Sequence, residues 1–468
     1  MLLMKRYVPR FLVAVLVLHA CGLVAQQSYD PWQEAEKIVQ RIKPPTFPDR
    51  EFVVTSYGAK GDGATDCTAA FASAIRECSE KGGGRVVVPE GEYLTGPIHL
   101  KSNVNLHLEA GAVLKFKRDP KAYLPLVFTR WEGVELMNYS PFIYAFEQHN
   151  IGITGKGVLD GQASNQHWWP WKGNKKFGWK EGMPNQTEGR KRLFEMSERG
   201  VPVQERMFGE GYYLRPNFIQ PYRCKNILIE GIKIVNSPMW EIHPVLCENV
   251  TVRNVVVDSY GPNNDGVNPE SCKDVLIEGT YFNTGDDCIA IKSGRNNDGR
   301  RLNVPSENIV IRNCTFRDGH GGVTIGSEIS GGARNIFAER CEVESPVLYN
   351  ALRIKSNAVR GGVIENVYVR HFSVKLVDRA VIDVDLYYEE GKNGNFLPTI
   401  RNIGVENMTV ERCRMAFNLV GYPEAPLRAI TLKDCTFKGV AMGYKLEHVE
   451  RFRAENTTVN GTLIKFNH

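Results

Sequence analysis

One short phrase recurs along this chain and leaves few folds open to it. It reads Asn-apolar-x-apolar, then a Gly or Asn turn, then a second alternating strand. Copies stand at Asn226-Ile227-Leu228-Ile229, Asn249-Val250-Thr251-Val252, Asp274-Val275-Leu276-Ile277 and Asn308-Ile309-Val310-Ile311. Later ones are Asn335-Ile336-Phe337-Ala338, Asn366-Val367-Tyr368-Val369 and Asn402-Ile403-Gly404-Val405, with successive copies 23 to 36 residues apart. A unit this short cannot bury its own apolar face and must stack on its neighbours. The apolar positions alternate with period two and no 3.6-residue period joins the copies, which excludes helical repeats. Propeller blades need four strands and a longer period. What remains is an all-β solenoid, a right-handed parallel β-helix with two or three short strands per coil. Turn Asn and Asp at equivalent offsets would then form hydrogen-bonded ladders.

A small α/β unit is predicted to open the solenoid. Phe52 to Tyr57 reads as a strand and Thr68 to Glu80 as a helix with Ala69, Phe71, Ala74 and Ile75 apolar. Gly82-Gly83-Gly84 stops that helix, and a strand starts at Arg85. One catalytic β-helix domain is therefore expected over 51–468, after an N-terminal segment, 26–50, with an amphipathic stretch near Trp32 to Ile42 and a break at Pro44, Pro45 and Pro48. Ahead of it, Lys5, Arg6 and Arg10 flank an apolar run from Phe11 to Leu18, and Leu23-Val24-Ala25 reads as a cleavage site. These features predict a signal peptide over 1–25 and a secreted or periplasmic protein. Cys21 offers the alternative of a lipid-anchored surface form. No other apolar stretch is long enough to cross a bilayer.

Charge narrows the partners. The formal charge is +5, and loss of the three leader cations leaves +2, too little for a nucleic-acid binder acting through bulk charge. Cys247, Cys272, Cys314, Cys341, Cys413 and Cys435 follow the repeated strands at similar offsets, so they read as small buried apolar residues rather than disulfides. One segment, Gln166 to Tyr213, breaks the rhythm. It is expected to project as an inserted loop, with Trp168, Trp169, Trp171 and Trp179 forming a wall on which sugar rings stack.

The chemistry is concentrated between Asn263 and Lys355. Four words occur there: Asn263-Asn264-Asp265-Gly266, Gly285-Asp286-Asp287, Gly319-His320-Gly321 and Arg353-Ile354-Lys355. Asp265 and Asp286 are 21 residues apart, about one coil, and coils stack roughly 4.8 Å apart. The next intervals, 34 and 33 residues, are also single coils if 294–305 and 331–334 bulge outward. Carboxylates crowded in this way push one pKa up, so one group stays protonated while others remain ionised. Glycoside cleavage needs that division between an acid and a base. Coil counting also places His243 on the same face as Asp265, 22 residues earlier, within reach of a sugar hydroxyl or the acids; the competing reading is a ladder histidine. Lys292 could add charge at the cleavage subsite or be a solvated strand-end lysine.

The four words, in this order and near these intervals, resemble the polygalacturonase family, glycoside hydrolase family 28. The likeness is specific between Asn263 and Lys355 and extends more loosely from Phe52 to the C-terminus. It implies inverting hydrolysis of galacturonic-acid linkages in pectic polysaccharide, with no metal or other cofactor. By the resemblance Asp287 is the general acid, Asp265 and Asp286 hold and deprotonate the attacking water, and His320 keeps the acid's proton in place. Arg353 and Lys355 would bind the substrate carboxylate, and Tyr388 would contact substrate. Asn264 stands where the family commonly has threonine. The expected partner is an anionic polysaccharide: pectin, galacturonan or rhamnogalacturonan. An insertion walling off the groove would favour exo action. The alternatives are a calcium-dependent pectate-type lyase, for which Asn296-Asn297-Asp298-Gly299 superficially resembles an ion loop, a rhamnogalacturonan-specific hydrolase, and a non-catalytic carbohydrate-binding β-helix.

Overall fold

The structure, a computed structural model, describes residues 30–345 and 347–466. The signal-peptide and Cys21 readings lie outside the described residues. The repeated phrase forms a parallel sheet of thirteen strands, running from Glu51–Val53 through Lys225–Glu230, Lys273–Glu278 and Val363–Arg370 to Val449–Glu455. Each strand pairs with its counterpart one coil on, as Ile227 with Val250, Val250 with Val275 and Val275 with Ile309. A second run of short parallel strands and a third complete each coil, giving a parallel β-helix. Crossovers between parallel strands wind right-handed.

The leading Asn of the phrase explains the turns. Asn226, Asn249, Asn308, Asn335, Asn366 and Asn402 all hold φ between 57° and 59°, a left-handed conformation that Asn tolerates better than most residues. Their amides link coil to coil: Asn249 donates to Asn226 (2.8 Å), Asn335 to Asn308 (3.0 Å), Asn366 to Asn335 (3.1 Å) and Asn402 to Asn366 (3.1 Å). Asp274 takes one rung as an acceptor only, from Asn308 (3.0 Å). An amide suits a ladder because it both donates and accepts.

One apolar core runs inside the coils from Phe52 to Ile464. The ten cysteines among the described residues are buried and unpaired. The helix Thr68–Glu80 covers the N-terminal end with Phe71, Ala74 and Ile75. The helix Pro31–Arg41 lies across the thirteen-stranded sheet, seating Trp32, Ala35 and Ile38 on Leu276, Val310 and Phe337. The strand expected over Phe52 to Tyr57 ends at Val53; a 3-10 turn, Val54–Tyr57, replaces its second half, closed by Gly58 at φ 93° and an Ala59 to Val54 backbone bond. Among the described residues, no helix is long and apolar enough to cross a membrane.

Two excursions leave the coils on the third-sheet side. One is an antiparallel hairpin, Val127–Trp131 with Val134–Asn138. The other is the long insertion, which contains the turn Trp169–Lys172 and the helix Thr187–Glu198. The two share an apolar cluster of Trp131, Leu136, Leu193, Phe208 and Trp240, so they form one wall.

Candidate active site

The third sheet carries the site. Bridges pair Ile242 with Val267 and Val267 with Ile289, and strands continue the stack from Ile289–Ile291 to Val323–Ile325 and Leu352–Lys355. The Gly266 amide donates to the Asp287 carbonyl (3.0 Å), which sets the Asp265 turn against the Asp287 turn. Asp265, Asp286 and Asp287 each present an oxygen within 4.8 Å of the other two. They line a cavity of about 280 Å³ together with Trp240, Asn263, Lys292, His320, Arg353, Lys355 and Tyr388.

Glycines make this crowding feasible. A Cβ on Gly321 would stand 2.2 Å from Thr324 Oγ1 and 3.0 Å from Asp287 Oδ1, and one on Gly319 would stand 2.6 Å from the Asp286 carbonyl. In the first word Asn263 and Asp265 line the cavity. Asn264 is buried, accepting from Ser259 and Gly261 and donating to the Ser237 and Met239 carbonyls. Arg215 donates to Asn263 (2.8 Å) and to the Pro262 carbonyl (2.7 Å), clamping the turn from beneath.

The three carboxyls differ in environment. Asp265 is pushed well above the ordinary carboxylate range by burial and by the Asp286 charge, with Lys292 3.7 Å away in partial opposition. Asp286 moves the other way: burial opposes its ionisation, yet the His320 hydrogen bond and charge hold it below that range. Asp287 accepts from Lys355 Nζ (2.7 Å) and Thr324 Oγ1 (3.0 Å). Two carboxyls forced apart in proton affinity are what acid–base chemistry at one centre requires.

His320 is placed differently from the resemblance. Its Nδ1 meets Asp286 Oδ1 at 2.9 Å, not Asp287, because its backbone amide is anchored on the Asp286 carbonyl (2.9 Å). Burial lowers the His320 proton affinity, but the bond and charge of Asp286 outweigh it and raise the net value. Tyr349 stacks on its ring, with centroids 4.6 Å apart.

The basic residues are poised for an anion. Arg353 approaches Asp383 only to 3.7 Å, and its buried Nε has no hydrogen-bond partner. The Tyr388 ring lies 5.7 Å from the Arg353 guanidinium and 5.4 Å from the Lys355 ammonium, whereas Tyr387 is exposed and packs on Tyr422. Lys292 is no solvated lysine. It is buried between Asp265 and Glu328 (3.0 Å) over the Trp240 ring, and burial, which lowers its proton affinity, is outweighed by the Glu328 and Asp265 charges.

His243 does not reach the acids. It is fully buried, accepts from Asn217 and Gln220 at Nδ1 (2.9 Å each) and meets Glu270 at Nε2 (2.7 Å). The Ile242–Val267 pairing makes that coil 25 residues long, so His243 stands beside Asn268 rather than Asp265. The tryptophan wall is also corrected. Trp168 is buried against Tyr123 and Phe142, Trp171 packs on Trp168, Trp169 donates to the Ser237 carbonyl (2.8 Å) and Trp179 to the Met183 carbonyl (2.9 Å). Trp168, Trp169 and Trp171 pack on the core inside the coils and anchor the insertion there. Its contribution to the cavity is Lys172 and Arg190, facing Glu132 from the hairpin. Nor is the 296–299 stretch an ion loop: it opens a helix in which Asp298 pairs with Arg206 (2.8 Å) and caps the Glu135 amide (2.8 Å).

A family model described as glycosyl hydrolases family 28 matches residues 210–459. The chain belongs to that family. It is a polygalacturonase-like glycoside hydrolase. All four words fall inside the matched segment, while Glu132, Lys172 and Arg190 lie before it. A second model, rhamnogalacturonase A/epimerase, pectate lyase-like, matches residues 52–121. The chain is 49% identical to a hyperthermoactive exopolygalacturonase of known structure from Thermotoga maritima, with a TM-score of 0.89 over 93% of this chain and 97% of that one. It is 29% identical to a probable polygalacturonase of Vitis vinifera over 84% of this chain and 75% of that one. An exo-poly-alpha-D-galacturonosidase of Dickeya chrysanthemi is 27% identical, over 76% of this chain and 62% of the relative's length. Of the residues that line the cavity, sequence reasoning missed Trp240, Glu328, Lys172, Arg190 and Glu132. No repeated word marks them; only the closeness of Trp240 to the His243 segment was a signal.

Proposed function

We propose that this chain is an exo-acting polygalacturonase that removes galacturonate from chain ends by acid–base hydrolysis. The observation that carries the proposal is three carboxyl groups within 4.8 Å beside Arg353, whose guanidinium lacks a full partner. Two relatives named for exo action support the mode, as does a cavity just below the roughly 300–1,000 Å³ usual for ligand sites. Asp287 protonates the leaving oxygen. Asp286, kept ionised by His320, takes the proton of a water that Asp265 helps to hold, and that water attacks the anomeric carbon. Oxygens under 4.8 Å apart are closer than the roughly 6.5–9.5 Å of a two-carboxylate inverting site. Here two of the three act jointly on one water, and inversion requires that this water attack the ring face opposite the leaving oxygen.

Arg353 and Lys355 receive the substrate carboxylate, the guanidinium as a fork and the ammonium as a point charge. A carboxylate arriving at Lys355 shares the ammonium with Asp287. Tyr388 flanks both cations. The domain reading, a single catalytic β-helix over 51–468 exported by 1–25, fits a polysaccharide substrate met outside the cell. Lys292 and Lys355 stand among the carboxylates where a calcium-dependent lyase would place its ion. Side-by-side digestion of homogalacturonan and rhamnogalacturonan tests the proposal: reducing ends should appear from homogalacturonan, without near-ultraviolet absorbance and at the same rate with a chelator. Absorbing products, or release from rhamnogalacturonan alone, would reject it.

A further inference from the structure

The cavity holds a second cation with an incomplete set of partners. Lys172 closes the turn Trp169–Lys172 in the insertion and lines the cavity. Among the described residues its ammonium makes no hydrogen bond and no ion pair, although the residue is half-buried. Burial lowers its proton affinity, with Glu132 the strongest opposing charge. Glu132 itself is taken up by Arg190, whose Nε lies 2.6 Å from its carboxylate. That carboxylate sits in the hairpin turn at φ 41°, a conformation uncommon for a residue with a side chain.

Two cation sites thus border the aspartates. The turn carrying Lys172 is tied through the Trp169 indole to the Ser237 carbonyl, one coil ahead of Asp265, whereas Arg353 and Lys355 lie on Leu352–Lys355, two coils beyond the Asp286–Asp287 turn. Lys172 therefore stands toward the N-terminal end of the cavity along the stack of coils, and Arg353 with Lys355 toward its C-terminal end. A disaccharide of uronic acids carries one carboxylate on each side of its single bond. We infer that Lys172 is a specificity residue that binds the carboxylate of the uronate across the scissile bond from the one held by Arg353 and Lys355. This rests on the polygalacturonase reading and adds that both flanking residues must be free acids.

Digalacturonate and its two monomethyl esters separate the sites, because each ester removes one carboxylate. Wild-type enzyme should cut either monoester with kcat/KM about tenfold or more below that of the free acid, the scale of one charge-assisted contact. Lys172→Gln should lose discrimination against one ester and keep it against the other, Arg353→Ala should show the reverse, and Lys172→Arg should restore the wild-type pattern. Lys172→Gln discriminating against both esters as the wild type does would overturn the assignment. Wild-type enzyme that cuts polygalacturonate but spares digalacturonate would overturn the two-site inference alone. Enzyme that cuts neither would overturn the functional reading beneath it.

Discussion

At the scale of single residues, the site trades stability for chemistry. Asp265 has its proton affinity raised by burial and by Asp286, so its ionisation penalises the fold once pH exceeds the ordinary carboxylate value of 3.8. Asp265→Asn should lower kcat by about 10²–10⁴ while leaving the melting temperature unchanged or higher, with the gain larger at pH 7 than at pH 3. Reducing-sugar assays and calorimetry on the same samples would check both halves. The Asp286–His320 pair runs opposite. The depressed Asp286 contributes stability above 3.8 that disappears as pH falls through its folded value, and the raised His320 contributes below 6.5 until pH rises through its own. His320→Ala should therefore destabilise most between about pH 4 and 6.5 and little at pH 9, seen as a pH-dependent drop in melting temperature. The aspartates were legible in the sequence because their spacing is that of a coil. The partner of His320 was not, since Asp286 and Asp287 are neighbours in the chain that both line the cavity, and spacing cannot say which of the two a coil-mate meets.

At the scale of the strand and turn, the repeated phrase carries the fold through its leading Asn as much as through its apolar pattern. Asn335 donates to Asn308 and accepts from Asn366 at φ 58°. Asn335→Ala should cost about 3–4 kcal/mol, the sum of left-handed strain of roughly 1–2 kcal/mol and two hydrogen bonds of about 1 kcal/mol each. Asn335→Gly, which keeps the conformation and loses only the bonds, should cost less by urea denaturation; equal losses would mean that the backbone angle contributes nothing. The same element shows why coil counting misplaced His243. Register is fixed by strand pairing, and coils vary in length with their turns, 25 residues from Ile242 to Val267 but 22 from Val267 to Ile289. Residue spacing therefore finds the coil and misses the row. The insertion hid its contribution for a similar reason: its aromatic rings look like a binding wall, yet they hold the loop down, and the groups it sends into the cavity are Lys172 and Arg190, which look like any surface cation.

At the scale of the whole molecule, a stack of coils gives an open groove along one sheet, and that would suit a long polymer lying through it. The hairpin and the insertion, joined through Trp131, Leu193 and Trp240, turn that stretch of groove into a small cavity around the aspartates. The account stands on that cavity accepting a chain end. The direct measurement is the time course of products from polygalacturonate resolved by anion-exchange chromatography. Monomeric galacturonate should be the sole product from the earliest points, with solution viscosity falling slowly. A ladder of mixed oligomers with an early collapse in viscosity would contradict it.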